Sequence, residues 1–155
     1  MKIFIMRHGE AEALAESDAQ RALTERGQND SIIVAKACAS QYGPMDFDKV
    51  LVSPYLRAQE TWQAIAPYVS GHSVDVCDDI TPYGQADDVF DYVLAISEHE
   101  SLENVLLVSH LPLVGYLVSE FVKDIPAPMF TTSSLYCIEY DPKKRKGEVL
   151  WSVRP

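Results

Sequence analysis

The amino-acid sequence predicts an α/β fold, with parallel βαβ units and helices packed on both faces of the sheet. Two patterns carry this expectation. Short apolar, β-branched runs of strand length alternate with longer segments whose apolar residues recur at helical spacing. Three of the runs also end in polar, chemically capable residues, and in open α/β sheets ligands bind beyond the carboxyl ends of the strands.

The elements follow in chain order. Lys2–Arg7 reads as a buried strand. A polar stretch from Gly9 to Leu23 comes next, and loops of that length in a compact chain are often functional. Thr24 can N-cap a helix to about Tyr42, with Ile32, Ile33, Ala35 and Cys38 among its apolar positions and Gly43-Pro44 as its stop. Lys49–Ser53 predicts a second buried strand. Ser53-Pro54 then predicts a helix cap with proline in the first turn, and Leu56, Trp62 and Ile65 much of that helix's apolar face. Ser73–Cys77 reads as a weaker strand at a sheet edge. Ala86–Ser97 predicts a helix burying Val89, Phe90, Val93 and Leu94. Asn104–Ser109 is the clearest strand, and Pro112–Phe121 supplies the helix after it. Leu135–Tyr140 and Glu148–Val153 flank the turn-rich segment Asp141–Gly147 and predict an antiparallel hairpin. No internal repeat or linker interrupts the chain, so residues 1–155 are expected to form one domain.

Composition narrows the function classes. A hydrophobic fraction of 47% and a charged fraction of 23% exclude collagen-like, disordered and disulfide-scaffold chains. No apolar run approaches the roughly 20 residues that span a bilayer. The apolar stretch Met1–Met6 is too short for a signal peptide and has no small-residue cleavage site behind it. The three isolated cysteines, Cys38, Cys77 and Cys137, suit a reducing compartment, so a cytoplasmic protein is expected. With 13 basic and 23 acidic residues, the net charge of −10 argues against nucleic acid or an anionic membrane as partner. Between Arg57 and Lys123 there is no Lys or Arg at all, while acids such as Asp78, Asp79, Asp87 and Asp88 accumulate there as a solvated face. A site for an anionic substrate must therefore be a local cationic pocket built from a few scattered residues.

Arg7, His8, Arg57 and His110 are the candidates for that pocket. Arg7-His8 follows the first strand, Arg57 stands a turn beyond the second, and His110 follows the strand ending at Ser109. Taken singly, each fits an ion-paired arginine or a satisfied polar histidine; their joint placement at strand ends singles them out. His72 and His99 have no such placing and read as surface residues. Two arginines would repel a cation, and no HxxxH or CxxC spacing is present, so no metal is expected. His8-Gly9-Glu10 matches half of a zinc deaminase signature, but the P-C-x-x-C half is missing. P-loop, GxGxxG and GxSxG motifs are absent too. Two guanidiniums and two imidazoles suit a phosphoryl group: the arginine forks hold its oxygens and one histidine attacks phosphorus.

The surrounding segments resemble the histidine phosphatase superfamily, which includes the cofactor-dependent phosphoglycerate mutases. Arg7-His8-Gly9-Glu10 looks like the family's RHGE motif, and Leu23-Thr24-Glu25-Arg26-Gly27 like its LTxxG helix start. Ser53-Pro54-Tyr55-Leu56-Arg57-Ala58-Gln59-Glu60-Thr61 resembles its SPLxRAxxT segment, and Ser109-His110 its second histidine. Each motif is weak alone; the ordered set spans most of the chain and is strong. Segments such as Ser109-His110-Leu111-Pro112-Leu113-Val114-Gly115-Tyr116 and Pro128-Met129-Phe130-Thr131-Thr132-Ser133 are most similar to the small bacterial phosphohistidine phosphatases of the superfamily.

The resemblance implies a three-layer α/β/α sandwich around a mixed, mostly parallel sheet, phosphoglycerate mutase-like and without a large lid insertion. It implies His8 as the nucleophile of a covalent phosphohistidine intermediate, with Arg7, Arg57 and His110 holding the phosphoryl oxygens, and no metal or other cofactor. Many members carry an acidic general acid on a segment over the pocket. Asp79, in Asp78-Asp79-Ile80-Thr81-Pro82-Tyr83-Gly84, is the candidate for that role, although a protonated phosphohistidine leaves as neutral imidazole and needs less acid help. The expected activity is hydrolysis of phosphohistidine on a protein, a histidine-phosphotransfer domain or similar phosphocarrier, by a monomer. The alternatives are a small-molecule phosphomonoesterase or mutase on the same scaffold, with Asp79 as its acid, and a non-catalytic phosphate-binding module. A mutase is disfavoured by the lack of room for a large insert.

Overall fold

A computed structural model describes every residue from Met1 to Pro155. Strand β1 (Lys2–Arg7) leads through the polar loop to α1 (Glu25–Tyr42), then β2 (Asp46–Phe47), β3 (Lys49–Val52) and α2 (Leu56–Ile65). Next come β4 (Ser70–Gly71), β5 (Val74–Val76), α3 (Ala86–Glu100), β6 (Asn104–Ser109) and α4 (Leu113–Phe121). The hairpin β7 (Leu135–Asp141) and β8 (Lys146–Val153) completes the chain.

The main sheet has six strands in the order β5-β3-β6-β1-β7-β8. Its first four strands are parallel, and the hairpin is added antiparallel to β1. Alternation along β1 builds the layers, because successive side chains point to opposite faces. Ile3 and Ile5 pack under α3 and α4 with Val89, Phe90, Leu113 and Leu117. Phe4 and Met6 pack under α1 and α2 with Val34, Cys38, Ala58 and Ile65. Each such fully buried aliphatic side chain stabilises the fold by ~1.5–3 kcal/mol relative to exposure. The central strands β3 and β6 are buried on both faces, hence their nearly unbroken apolar runs. The sandwich inferred from the sequence is the one observed.

Parallel register places the site. Arg7 pairs with Ser109, and Val52 with Val108. One residue further on, His8 and His110 leave the sheet side by side, with Ser53 next to Ser109. The edge where these strands end is the edge that the sequence marked.

Several local expectations need correction. Helix α2 begins at Leu56 with Tyr55 as its N-cap, not at Ser53-Pro54. Ser53 instead turns its hydroxyl inward and accepts the Tyr55 N–H at 3.2 Å. The buried face of α2 is Arg57, Ala58, Thr61, Ala64 and Ile65, while Leu56 is exposed and Trp62 half-buried. The inward face meets the polar end of the sheet as well as the core, so an arginine and a threonine occupy positions that periodicity alone assigns to apolar residues. In α1, Val34 is buried, Ile32 only partly so, and Ile33 faces solvent. Leu94 is half-buried on the flank of α3, which runs on to Glu100. The small parallel pair of β2 with β4 has two residues per strand, too few for any period to register. Thr24 does cap α1, accepting the Gly27 N–H at 2.9 Å.

All three cysteines are buried and unpaired. Burial pushes the Cys38 and Cys137 thiols up to about 12, so both behave as small apolar side chains. No helix is long and apolar enough to cross a membrane.

Candidate active site

The four residues singled out in the sequence converge at the carboxyl edge of the sheet. His8, Arg57 and His110 are 7%, 4% and 1% exposed, and the two imidazole rings lie 5.0 Å apart between centroids. The His8 Nδ1 atom sits 2.6 Å from the Gly9 carbonyl oxygen, while Arg57 Nε donates to His8 Nε2 at 3.3 Å. An Nε2 that accepts a hydrogen bond carries no proton, which puts the ring hydrogen on Nδ1, donated to Gly9. His8 is thereby held with a lone pair on Nε2, facing the guanidinium of Arg57.

His110 is oriented by a residue that sequence reasoning did not single out as functional. Its Nε2 lies 2.7 Å from Ser53 Oγ. The Ser53 hydroxyl hydrogen has no other acceptor within reach, so it goes to His110 Nε2 and the imidazole proton resides on Nδ1. The Tyr55 ring packs edge-on to His110 and lies 5.0 Å from Arg57 Cζ. Arg7 donates from NH1 to the Phe130 carbonyl at 3.0 Å. Three buried polar side-chain atoms of the fold have no partner, and two of them, Arg7 Nε and His110 Nδ1, are in this cluster. A buried donor without an acceptor costs ~1–3 kcal/mol, a cost that an incoming acceptor such as a phosphoryl oxygen would remove.

Electrostatics keep both imidazoles neutral. Burial pushes the pKa of His8 down to about 4, helped by the guanidiniums of Arg57, Arg7 and Arg21 and opposed by the Gly9 carbonyl. His110 is pushed down to about 3, again mainly by burial, then by His8, Arg57 and Arg7, with Asp18 acting in the opposite sense. A neutral His8 is the form that can attack phosphorus. The same shifts make stability pH-dependent. In the unfolded chain both imidazoles take a proton near pH 6.5, whereas in the fold they resist it, so stability is lost as pH falls from about 6.5 towards 4. Replacing His8 by glutamine should make the drop in urea-unfolding free energy between pH 6.5 and 4.5 smaller by ~2 kcal/mol. An unchanged drop would show that His8 is not buried in its neutral form.

The polar loop from Gly9 to Leu23 closes one side of the site. It is pinned at its base, where Ala11 bridges to Leu23 and Glu60 Oε1 accepts the Leu23 N–H at 2.9 Å. Gly9 N–H donates to Thr61 Oγ1 at 3.0 Å, and Thr61 in turn donates to the Arg57 carbonyl at 2.7 Å. Gly9 also packs against the first turn of α1: a Cβ there would stand 2.6 Å from the Gly27 carbonyl oxygen, and one on Gly27 would collide with Glu10. These two glycines let the helix press the loop against the strand end. At the tip of the loop, Asp18 accepts from Arg57 NH1 through its carbonyl at 2.6 Å and from NH2 through Oδ2 at 3.2 Å. Its other oxygen, Oδ1, accepts from Arg21 NH1 at 3.0 Å. Asp18 and Arg21 carried no motif signal; only the length of the loop pointed to them.

Asp79 lies apart from this network. It is exposed, in the single turn Asp78–Ile80 beyond β5, beside a cleft it shares with Thr81, Tyr83 and Asp88. It makes no hydrogen bond or ion pair with Arg7, His8, Arg57 or His110; the acid that touches the site is Asp18. The turn itself is anchored to the site edge, because Ser109 Oγ donates to the Ile80 carbonyl at 2.7 Å. His72 and His99 are exposed, His72 beside Asp46. No group of three or more His, Cys, Asp or Glu side chains is gathered to hold a metal ion.

A buried imidazole lone pair, two guanidiniums and unpartnered polar atoms at the strand ends of an α/β sandwich suit phosphoryl transfer through a histidine. Residues 3–81 match the model of the histidine phosphatase superfamily, branch 1. Phosphohistidine phosphatase SixA of Escherichia coli is 38% identical over the whole of this chain and 94% of its own. A SixA homolog from Haemophilus influenzae is 41% identical over 77% of this chain and 76% of its own. A solved structure of the protein histidine phosphatase SixA complexed with tungstate superposes with a TM-score of 0.92, at 38% identity, over 100% of this chain and 97% of that one. The chain belongs to the histidine phosphatase superfamily.

Proposed function

We propose that this protein is a phosphohistidine phosphatase, acting on a phosphohistidine side chain of another protein through a covalent intermediate on His8. The observation that carries this reading is the neutral His8 imidazole, its proton held on Nδ1 by Gly9 and its lone pair on Nε2 beside Arg57. Full-length similarity to SixA supports the substrate class.

The chemistry follows from the geometry. His8 Nε2 attacks phosphorus, the bond from phosphorus to the substrate nitrogen breaks, and the substrate imidazole leaves carrying its own ring proton. Arg7, Arg57 and His110 Nδ1–H hold the equatorial oxygens and offset their charge, the part a metal ion plays in other phosphoryl transfers. The Gly9 carbonyl, accepting from Nδ1, steadies the positive charge that His8 acquires. Water then attacks the phosphoryl group, the bond to Nε2 breaks, and His8 returns neutral with release of inorganic phosphate. A histidine-phosphotransfer domain or phosphocarrier of two-component type, met in the cytoplasm by a monomeric enzyme, is the partner we propose.

Turnover of a phosphorylated histidine-phosphotransfer domain, compared with a small aryl phosphate, tests the reading. The phosphoprotein should be the better substrate by kcat/KM. Because its leaving nitrogen brings its own proton, Asp79→Asn should change that rate by less than about twofold. A hundredfold loss on the phosphoprotein would make Asp79 a general acid. A fast, Asp79-dependent rate on the aryl phosphate would favour the small-molecule phosphomonoesterase.

A further inference from the structure

We propose that Asp18 is the positioning residue of Arg57, holding the guanidinium in its working orientation during the part of the cycle when His8 can no longer do so. The proposal rests on the His8 reading above. The guanidinium is fixed at three points: Nε to His8 Nε2 at 3.3 Å, NH1 to the Asp18 carbonyl at 2.6 Å, and NH2 to Asp18 Oδ2 at 3.2 Å. The Tyr55 ring lies against it, 5.0 Å from Cζ, but a ring face sets no hydrogen-bond direction. Once the phosphoryl group is bonded to His8 Nε2, that lone pair is used and the Nε contact is lost. From then until hydrolysis, the only acceptors of this chain that orient the fork are the two on Asp18.

Each of the two contacts uses one hydrogen of a terminal nitrogen. Nε–H and the second hydrogens of NH1 and NH2 remain for phosphoryl oxygens, so Asp18 fixes the fork without competing for all of it. Asp18 is itself braced. Arg21 NH1 donates to Oδ1 at 3.0 Å, and Arg21 Nε donates to the Glu12 carbonyl at 2.6 Å, tying the tip of the loop to its stem. One carboxylate thus stands between two guanidiniums that would otherwise repel. Hydrogen bonds from Arg21 and Arg57 lower its pKa below the ordinary carboxylate value, so it is ionised at neutral pH. Ionised, it is an acceptor and not a proton donor, which separates this role from that of a general acid. The length of the Gly9–Leu23 loop then has a reason: it must reach over the strand end to bring one acceptor pair to the far side of Arg57.

A double-mutant cycle tests this, with a phosphorylated histidine-phosphotransfer domain as substrate. Asp18→Ala should lower kcat roughly tenfold with little change in KM, because the loss falls on the phosphoenzyme and its transition states. In an Arg57→Lys background the same substitution should cost less than about twofold, since there is no fork left to orient. Asp18→Asn keeps one oxygen acceptor and should recover part of the loss; being nearly isosteric, it also carries the cycle if Asp18→Ala does not fold. Equal losses in both backgrounds would overturn the proposal, as would a faster enzyme, which would make Asp18 a competitor for the phosphate site. A wild-type protein inactive on the phosphoprotein, or a His8→Ala variant still active on it, would instead sink the phosphohistidine reading.

Discussion

Replacing His8 by alanine leaves a folded protein without turnover, a fall of roughly 10⁴-fold or more in kcat. The expectation follows from what surrounds the ring. His8 Nε2 is the lone pair next to Arg57, and the other imidazole, His110, has its Nε2 engaged with Ser53 and its proton on Nδ1. No cysteine substitutes, because Cys38, Cys77 and Cys137 are buried thiols, and those of Cys38 and Cys137 titrate near 12. Phosphorylated substrate should label wild-type protein in an acid-labile form, and that label should vanish with His8. Thermal unfolding separates loss of chemistry from loss of fold. The variant relieves a buried imidazole of its desolvation cost but leaves a small void, so the midpoint should move little. Labelling that persists in His8→Ala would exclude His8 as the nucleophile.

The sequence made the strands of the parallel core legible because they are buried on both faces and bounded by polar residues. Asn104–Ser109 is placed to the residue, and β1 likewise. Their register was not readable, yet it is register, Arg7 opposite Ser109, that brings His8 and His110 together. The convergence of Arg7, His8, Arg57 and His110 was legible because they lie at or just beyond strand ends within a motif order. What sets their state was not. Ser53 looked like a helix cap, the commonest use of Ser-Pro, and turned out to fix the tautomer of His110. Thr61 stood only as the last residue of the SPLxRAxxT-like segment, with no role attached, and links α2 to the loop at Gly9. Asp18 was one acid among 23, and only the folded loop distinguishes it. Such residues act through one or two tertiary hydrogen bonds, which leave no period and no spacing in the chain. Asp79 shows the converse: a motif-like position along the sequence that folding leaves exposed, without contact to the four residues.

Arg57→Lys preserves the charge and should still lower kcat/KM on a phosphohistidine protein by about a hundredfold. Arg57 is 4% exposed and its guanidinium reaches His8, the Asp18 carbonyl and the Asp18 carboxylate with three different nitrogens. An ammonium group has one nitrogen. It can sit between His8 and Asp18 or approach the phosphoryl oxygens, but its donors cannot span both in the plane of a fork. Loss of a bidentate contact formed in the transition state costs on the order of 3 kcal/mol, which is the hundredfold. Burial adds to this, because a desolvated lysine between Arg7 and Arg57's former neighbours is pushed towards its neutral form, whereas the arginine stays charged. The loss should therefore deepen as pH rises towards the lysine's lowered pKa, while the wild-type rate shows no such limb. Measuring kcat/KM from pH 6 to 9 for both proteins, with unfolding midpoints as a control for the fold, checks both parts. Near wild-type kinetics for Arg57→Lys would reduce Arg57 to a point charge and remove the reason for the Asp18 clamp.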